Sequence, residues 1–175
     1  FHISGSTDKA VEIEAVLGLE AGEDGFISPM PMLAGRFFRD GERDVAVLPF
    51  QAARALGIGR DNFAAAAITF RGHRYPVVGI LDATAFRRIK EINGRSLLPV
   101  KPAPLENTDP AGESAPPESD EDLFYVAPGS LVILPAATVA SLGGGPASIS
   151  VKLPDDADVR QLFDELLMMT EGHYF

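Results

Sequence analysis

Between Gly35 and Asp82 the chain alternates turns with short apolar runs so quickly that only short elements can form, and no other stretch constrains the fold as tightly. Gly35-Arg36-Phe37-Phe38 leads into the turn pair Asp40-Gly41, and Asp44 to Leu48 then reads as a short strand of the buried type. Pro49 suits the first turn of a helix, where its missing N–H is not needed. Ala52, Ala53 and Leu56 share one face of that helix before Gly57 ends it. Residues 63–70 read as a second strand and Tyr75 to Leu81 as a third, which predicts a hairpin about Arg71-Gly72-His73. Pro76 lacks a donor, so it can sit only at a sheet edge or where pairing starts.

Outside this stretch the patterns are simpler. The alternation Val11 to Leu17 puts Val11, Ile13 and Ala15 on one face and Glu12 and Glu14 on the other, as in a half-solvated strand. Residues 21–25 form a turn, and Pro29, Pro31 and Gly35 keep the following stretch irregular. A strand–Pro–helix–Gly unit at 131–143 aligns with the one at 45–57, matching Val47 to Ile133, Leu48-Pro49 to Leu134-Pro135, and Leu56-Gly57 to Leu142-Gly143. Both units use residues that any strand-to-helix junction favours, so no duplication is inferred. Ser148 to Leu153 alternates as a strand. Asp158 is placed to cap a helix whose apolar stripe is Val159, Leu162, Phe163, Leu166 and Leu167. Strand, helix, strand and helix from 131 to 169 argue for an α/β layer with helices on one face of its sheet.

Residues 101–122 differ in kind, with five prolines, seven carboxylates and Leu105 as the one large apolar side chain. Such a composition buries too little apolar surface to offset its ordering entropy, and residues 99–124 are expected to be an acidic, Pro-rich loop. The chain as a whole carries 25 Asp and Glu against 15 Lys and Arg, a net charge of −10. That balance opposes binding to nucleic acid, which requires cationic neutralisation of phosphate. Without Cys there are no disulfides, thiol nucleophiles or thiolate metal sites. No run of 18 apolar residues exists, so no segment reads as a membrane-spanning helix. The start at Phe1 rather than at a Met leads to the expectation of a segment from a longer protein.

Catalytic chemistry has no local signature. His2, His73 and His173 lie far apart, with no carboxylate or second His at ligand spacing, and His73 reads as a solvated turn residue. No Gly-x-Ser-x-Gly surrounds any Ser. Gly57-Ile58-Gly59 follows a helix, so it reads as a C-terminal cap rather than as a phosphate cradle. Close carboxylates such as Asp155 and Asp156 suit turns and caps. A glycosidase would need stacking aromatics, and the chain has no Trp. Neither catalytic residues nor a cofactor nor a metal is therefore expected. Two clusters remain as possible partner contacts. Arg87, Arg88 and Lys90 form the one basic cluster, either a solvated helix face or a docking patch for an acidic partner or headgroup. Met30 and Met32, with Leu33 and Phe37-Phe38, exceed what a connector needs and either plug a core between subdomains or form a contact surface.

The order of Gly35-Arg-Phe-Phe38, Val45-Ala-Val-Leu48, Ala55-Leu-Gly-Ile58, the Ile68-x-Phe70-x-Gly72 hairpin and Tyr75-Pro-Val-Val-Gly-Ile-Leu-Asp82 resembles the MacB-like periplasmic core domain of ABC transporter permeases of the FtsX, MacB and LolC/LolE type. Leu131-Val-Ile-Leu-Pro135, Leu142-Gly143, Ile149-Ser-Val-Lys152 and residues 158–169 look like its returning half. The resemblance covers roughly 11–98 and 125–169. It implies an α+β fold in which an α/β porter-like subdomain is formed by both chain ends, 1–34 and 125–175, with a strand-rich subdomain, 35–98, inserted between them. It implies also an extracytoplasmic location, a second permease subunit in a homo- or heterodimer, and a cytoplasmic ABC ATPase acting through the parent chain. A periplasmic adaptor, lipoprotein or peptide is a further partner that it implies. The acidic loop and the 86–98 segment match no feature of that family. The alternative from another class is a free-standing extracytoplasmic module that binds a peptide or apolar ligand in the 35–82 strands.

Overall fold

A computed structural model describes residues 1–5, 9–25, 28–91, 94–101, 124–145, 158 and 160. The described residues form a mixed sheet with few helices, an α+β fold. Its strands are β1 (His2–Gly5), β2 (Ala10–Glu12), β3 (Ala15–Leu19), β4 (Met32–Gly35), β5 (Ala46–Pro49), β6 (Ala67–Phe70), β7 (His73–Leu81) and β8 (Leu131–Pro135). The helices are α1 (Phe50–Ala55), α2 (Ala83–Phe86) and α3 (Ala136–Ser141). The strand order is β2-β1-β6-β7-β5-β8-β3, with β4 paired to β7 beside this path.

β7 joins the two halves of the sheet. Its first residues pair antiparallel with β6, from Phe70↔His73 to Ala67↔Pro76, across the hairpin expected about Gly72. Arg71 and Gly72 both take positive φ, 49° and 80°, as a two-residue turn matching the strand twist requires. Beyond Pro76 the strand pairs parallel with β5 and antiparallel with β4. The Val77 N–H donates to the Ala66 carbonyl on the β6 side, so the Pro76 nitrogen faces the opposite side, where pairing with β5 begins only at Val77. Proline therefore stands where pairing starts, and no ladder bond is lost.

Three expected elements differ. The stretch expected to stay irregular as far as Gly35 contains β4, whose residues from Met32 onward pair with β7 once Pro31 is passed. The strand predicted over 11–17 is divided: β2 pairs with β1, and β3 pairs parallel with β8. At the division the Ile13 N–H donates to the Phe1 carbonyl and the Glu14 N–H to the Ser130 carbonyl, so the chain changes partner between adjacent residues. The strand predicted over 63–70 begins only at Ala67, because Phe63–Ala65 form a 3-10 turn. The Ala64-Ala65-Ala66 run has none of the β-branched bulk that favours a pleated surface.

β5 and β8 are buried throughout, and their side chains alternate between two apolar layers. Ala46, Leu48, Val132 and Leu134 face a layer with Ile3, Ile68, Tyr75 and α1, whereas Val47, Leu131 and Ile133 face one with Phe37, Phe38, Phe86 and Leu98. α1 and α3 pack on the first layer through Ala53 and Val139, and α2 packs on the second through Phe86. The strands of 35–98 thus share hydrogen bonds and core with strands from both flanking segments.

The two strand–Pro–helix–Gly units close on each other. β5 and β8 pair antiparallel with Val47 opposite Ile133, and each has a parallel neighbour on its outer side, β7 and β3. Pro49 and Pro135 share extended dihedrals (φ −59° and −55°), and Gly57 and Gly143 both end their helices at positive φ. The predicted strand 148–153 lies outside the described residues, as do Asp155, Asp156, His173 and most of the helix predicted over 158–169. Asp158 does accept from the Arg160 N–H at 2.9 Å, the bond expected of an N-cap.

Candidate functional site

A groove of about 490 Å³ opens between the segment leading into β4 and the C-terminal side of α2. One wall is Ser28, Pro29 and Pro31; the other is Ala85, Arg88, Ile89, Lys90 and Glu91. Local bonding fixes both. In the first, Gly25 turns at φ +85°, and the Asp24 carboxylate accepts from the Met30 N–H at 2.8 Å. In the second, Asp82 caps α2 by accepting from the Thr84 and Ala85 N–H groups at 2.9 and 3.1 Å, and Phe86, fully buried, anchors the helix. The Asp82 N–H donates to the Pro31 carbonyl at 2.8 Å, joining wall to wall.

The structure separates the residues expected at a partner contact. Arg87, Arg88 and Lys90 are exposed, Arg88 and Lys90 line the groove, and Arg87 lies at the end of α2. Lys90 is bridged to Ser96, which extends the wall past the helix. Met30, by contrast, is core: it is 7% exposed and packs with Leu19, Phe37 and Phe38, so it offers no contact surface. Met32 is half-buried in β4, with its side chain against Gly79. Phe37 and Phe38 stack at a centroid distance of 4.6 Å inside the same layer.

The groove lining carries both signs of charge, with Arg88 and Lys90 cationic and Glu91 anionic. Burial pushes the Glu23 carboxyl above its ordinary range, with the nearby Glu20 and Glu91 charges adding to the rise. Its Oε2 is buried and makes no hydrogen bond among the described residues. Sequence reasoning missed the proline wall, because its approach to α2 rests on the β4–β7 pairing and the Asp82–Pro31 backbone bond. The Pro29-x-Pro31 spacing was the available signal.

Other candidate chemistry is not assembled. No group of three His, Asp or Glu able to hold a metal occurs among the described residues. His2 and His73 are exposed on separate strands. Gly59 N–H donates to the Asn62 side chain at 2.7 Å, and Asn62 returns a bond to the Gly57 carbonyl, so that loop closes on itself as a cap. No helix among the described residues is long and apolar enough to cross a membrane.

By its elements the chain is an α+β domain carrying a mixed apolar and cationic groove. Among solved structures it is similar to the periplasmic region of MacB from Actinobacillus actinomycetemcomitans, at 15% identity and a TM-score of 0.48, over 97% of this chain and 64% of that one. No family model matches the chain, and no curated protein matches it.

Proposed function

We propose that this chain is the extracytoplasmic domain of an ABC transporter permease subunit, with no enzymatic activity of its own. It would act outside the membrane by transmitting movement driven by cytoplasmic ATP hydrolysis. The observation that carries the reading is the residue order from Gly35 to Asp82, which resembles the MacB-like periplasmic core domain. Parallel pairing of β3 with β8 supports it as well, because a domain built from both chain ends needs residues 15–19 and 131–135 side by side. On this reading the division into 1–34 with 125–175 and 35–98 marks two parts of a domain that share a sheet. A second permease subunit and an ABC ATPase are its partners through the parent chain, and an adaptor, lipoprotein or peptide is met outside the membrane.

The absence of Cys makes a direct test simple. Single cysteines at exposed positions such as Arg43 and Arg60, placed in the parent permease with its ATPase, should cross-link between subunits at rates that change with ATP. Rates independent of nucleotide at every exposed position overturn the reading. So does a parent reading frame that contains no membrane helix and has no neighbouring ATPase gene.

A further inference from the structure

We infer that the groove between Pro29-Pro31 and Arg88-Lys90 is a docking site for an extended acidic peptide of a partner protein, in which a carboxylate beside an apolar side chain is the recognised unit. The inference stands on the groove alone and is independent of the transporter reading. Charge complementarity argues for it first. In a chain of net charge −10, Arg87 and Arg88 are exposed side by side, and neither makes an ion pair or side-chain hydrogen bond among the described residues. Arg36, by contrast, is forked onto Glu42, and Arg71 donates to the Leu142 carbonyl, whereas the exposed Arg43, Arg54, Arg60 and Arg74 line no part of this groove. Arginine at the rim suits a carboxylate, because its planar fork gives two parallel N–H···O bonds.

Shape argues next. Pro29, Pro31, Ala85 and Ile89 give the groove apolar lining beside Ser28 and its charged residues. The walls are tied by the Asp82–Pro31 bond and the Asp82 cap, so little ordering cost attends binding. Glu91 at the groove sets polarity: the peptide carboxylate lies toward Arg88 and away from Glu91. A flat anionic membrane is the poorer fit, since it would bring the surrounding carboxylates against like charge as well.

The test uses the intact chain and fluorescence anisotropy with a labelled peptide, Leu-Glu-Pro-Leu-Glu-Glu, against its all-Gln counterpart. The Glu peptide should bind at least about tenfold more tightly than the Gln peptide at low salt, and tripling the salt should reduce that ratio, as screening requires. Arg88→Ala should weaken binding about tenfold, the worth of one charge-assisted contact. Arg60→Ala, exposed elsewhere, should leave it unchanged. Both arginines are solvated, so thermal melting of the variants should match the parent and exclude misfolding. Equal binding of the two peptides, unaltered binding by the Arg87→Ala/Arg88→Ala double variant, or preference for phosphatidylglycerol vesicles over the Glu peptide would each overturn the proposal.

Discussion

Val47 and Ile133 stand directly opposite each other in the antiparallel pair that β5 makes with β8, although each belongs to a different strand–Pro–helix–Gly unit. They are also the residues that correspond when the two units are aligned, so a local two-fold axis runs through that pair. On either side the same arrangement repeats: a parallel neighbour strand, a proline at the strand end and a short helix capped by a positive-φ glycine. The arrangement places two short, fully buried strands between β7 and the edge strand β3, where their alternating side chains fill both apolar layers. The connections around them differ, because β3 precedes β8 in the chain while β7 follows β5. The likeness is therefore one of packing geometry, which identical junction chemistry is enough to produce.

Gly79 and Gly35 pair across β4 and β7, and neither has room for a side chain. A Cβ on Gly79 would collide with the Arg36 carbonyl oxygen and the Met32 methyl, while one on Gly35 would meet the Val78 carbonyl oxygen and lie 2.7 Å from Phe63 Cε2. Gly35→Val and Gly79→Val should each cost about 3 kcal/mol, since the obstacle is backbone that cannot rotate away. Gly41, at φ +72° with open space around it, provides the control: Gly41→Ala should cost about 1 kcal/mol, the left-handed penalty alone. Urea unfolding that ranks Gly41→Ala level with Gly79→Val would refute the crowding argument.

Much of this local geometry is legible in the residues. Pro49 and Gly57 bound α1, Arg71-Gly72 closes the hairpin, and the Phe37-Phe38 pair is too apolar for solvent. These features depend on φ restrictions and burial, which act within a few residues. What sequence patterning leaves open are the relations between distant segments: the Ile13-Glu14 switch of partner, the β5–β8 pairing and the approach of Pro31 to Asp82. Each rests on a hydrogen bond between groups that every residue carries, so no side-chain pattern announces it. The groove is invisible for the same reason, although its arginines are conspicuous.

Arg71 links the hairpin to α3. Its guanidinium donates to the Leu142 carbonyl at 3.0 Å and lies 5.6 and 5.7 Å from the Phe1 and Phe70 ring centres. Arg71→Ala should lower stability by about 1–2 kcal/mol through loss of both contacts. Arg71→Gly loses the same contacts but relieves the φ of +49°, recovering about 1 kcal/mol. Chemical denaturation should therefore place Gly above Ala, and the reverse order would show that the turn is unstrained.

Glu42 and Glu23 should give opposite pH signatures. The Arg36 hydrogen bond holds the Glu42 carboxyl below its ordinary range, so its contribution is present above the unfolded value of about 4.3 and is lost as pH falls through the lower folded value. Glu42→Gln should thus destabilise at pH 7, by less than about 1 kcal/mol given the pair's partial exposure, and the difference should close in acid. Burial raises the Glu23 carboxyl, so the folded state favours its protonated form below pH 4.3 and loses that advantage as pH rises through the folded value. Glu23→Gln should raise the melting temperature at pH 7 and confer no gain at pH 3. Thermal melts between pH 3 and pH 8 check both, and the same sign for the two variants at pH 7 would contradict the assignment.

Lys101 and Phe124, the described residues on either side of 102–123, are hydrogen-bonded neighbours. The Lys101 N–H donates to the Phe124 carbonyl at 2.6 Å, the Val126 N–H donates to the Pro99 carbonyl at 2.8 Å, and Val100 faces Tyr125. Adjacent antiparallel ends of this kind need only a two-residue turn. Replacing 102–123 with Asn-Gly should therefore preserve the fold and raise stability by up to about 2 kcal/mol, because closing a long loop costs more entropy than closing a short one. The Lys101–Glu14 ion pair and the burial of Val126 lie outside the excised stretch, so neither is disturbed. Differential scanning calorimetry of the shortened chain measures the outcome directly. A melting temperature that falls by several degrees would mean that the acidic stretch contributes contacts to the folded domain, and a rise would mark it as an excursion from a sheet already closed at its base.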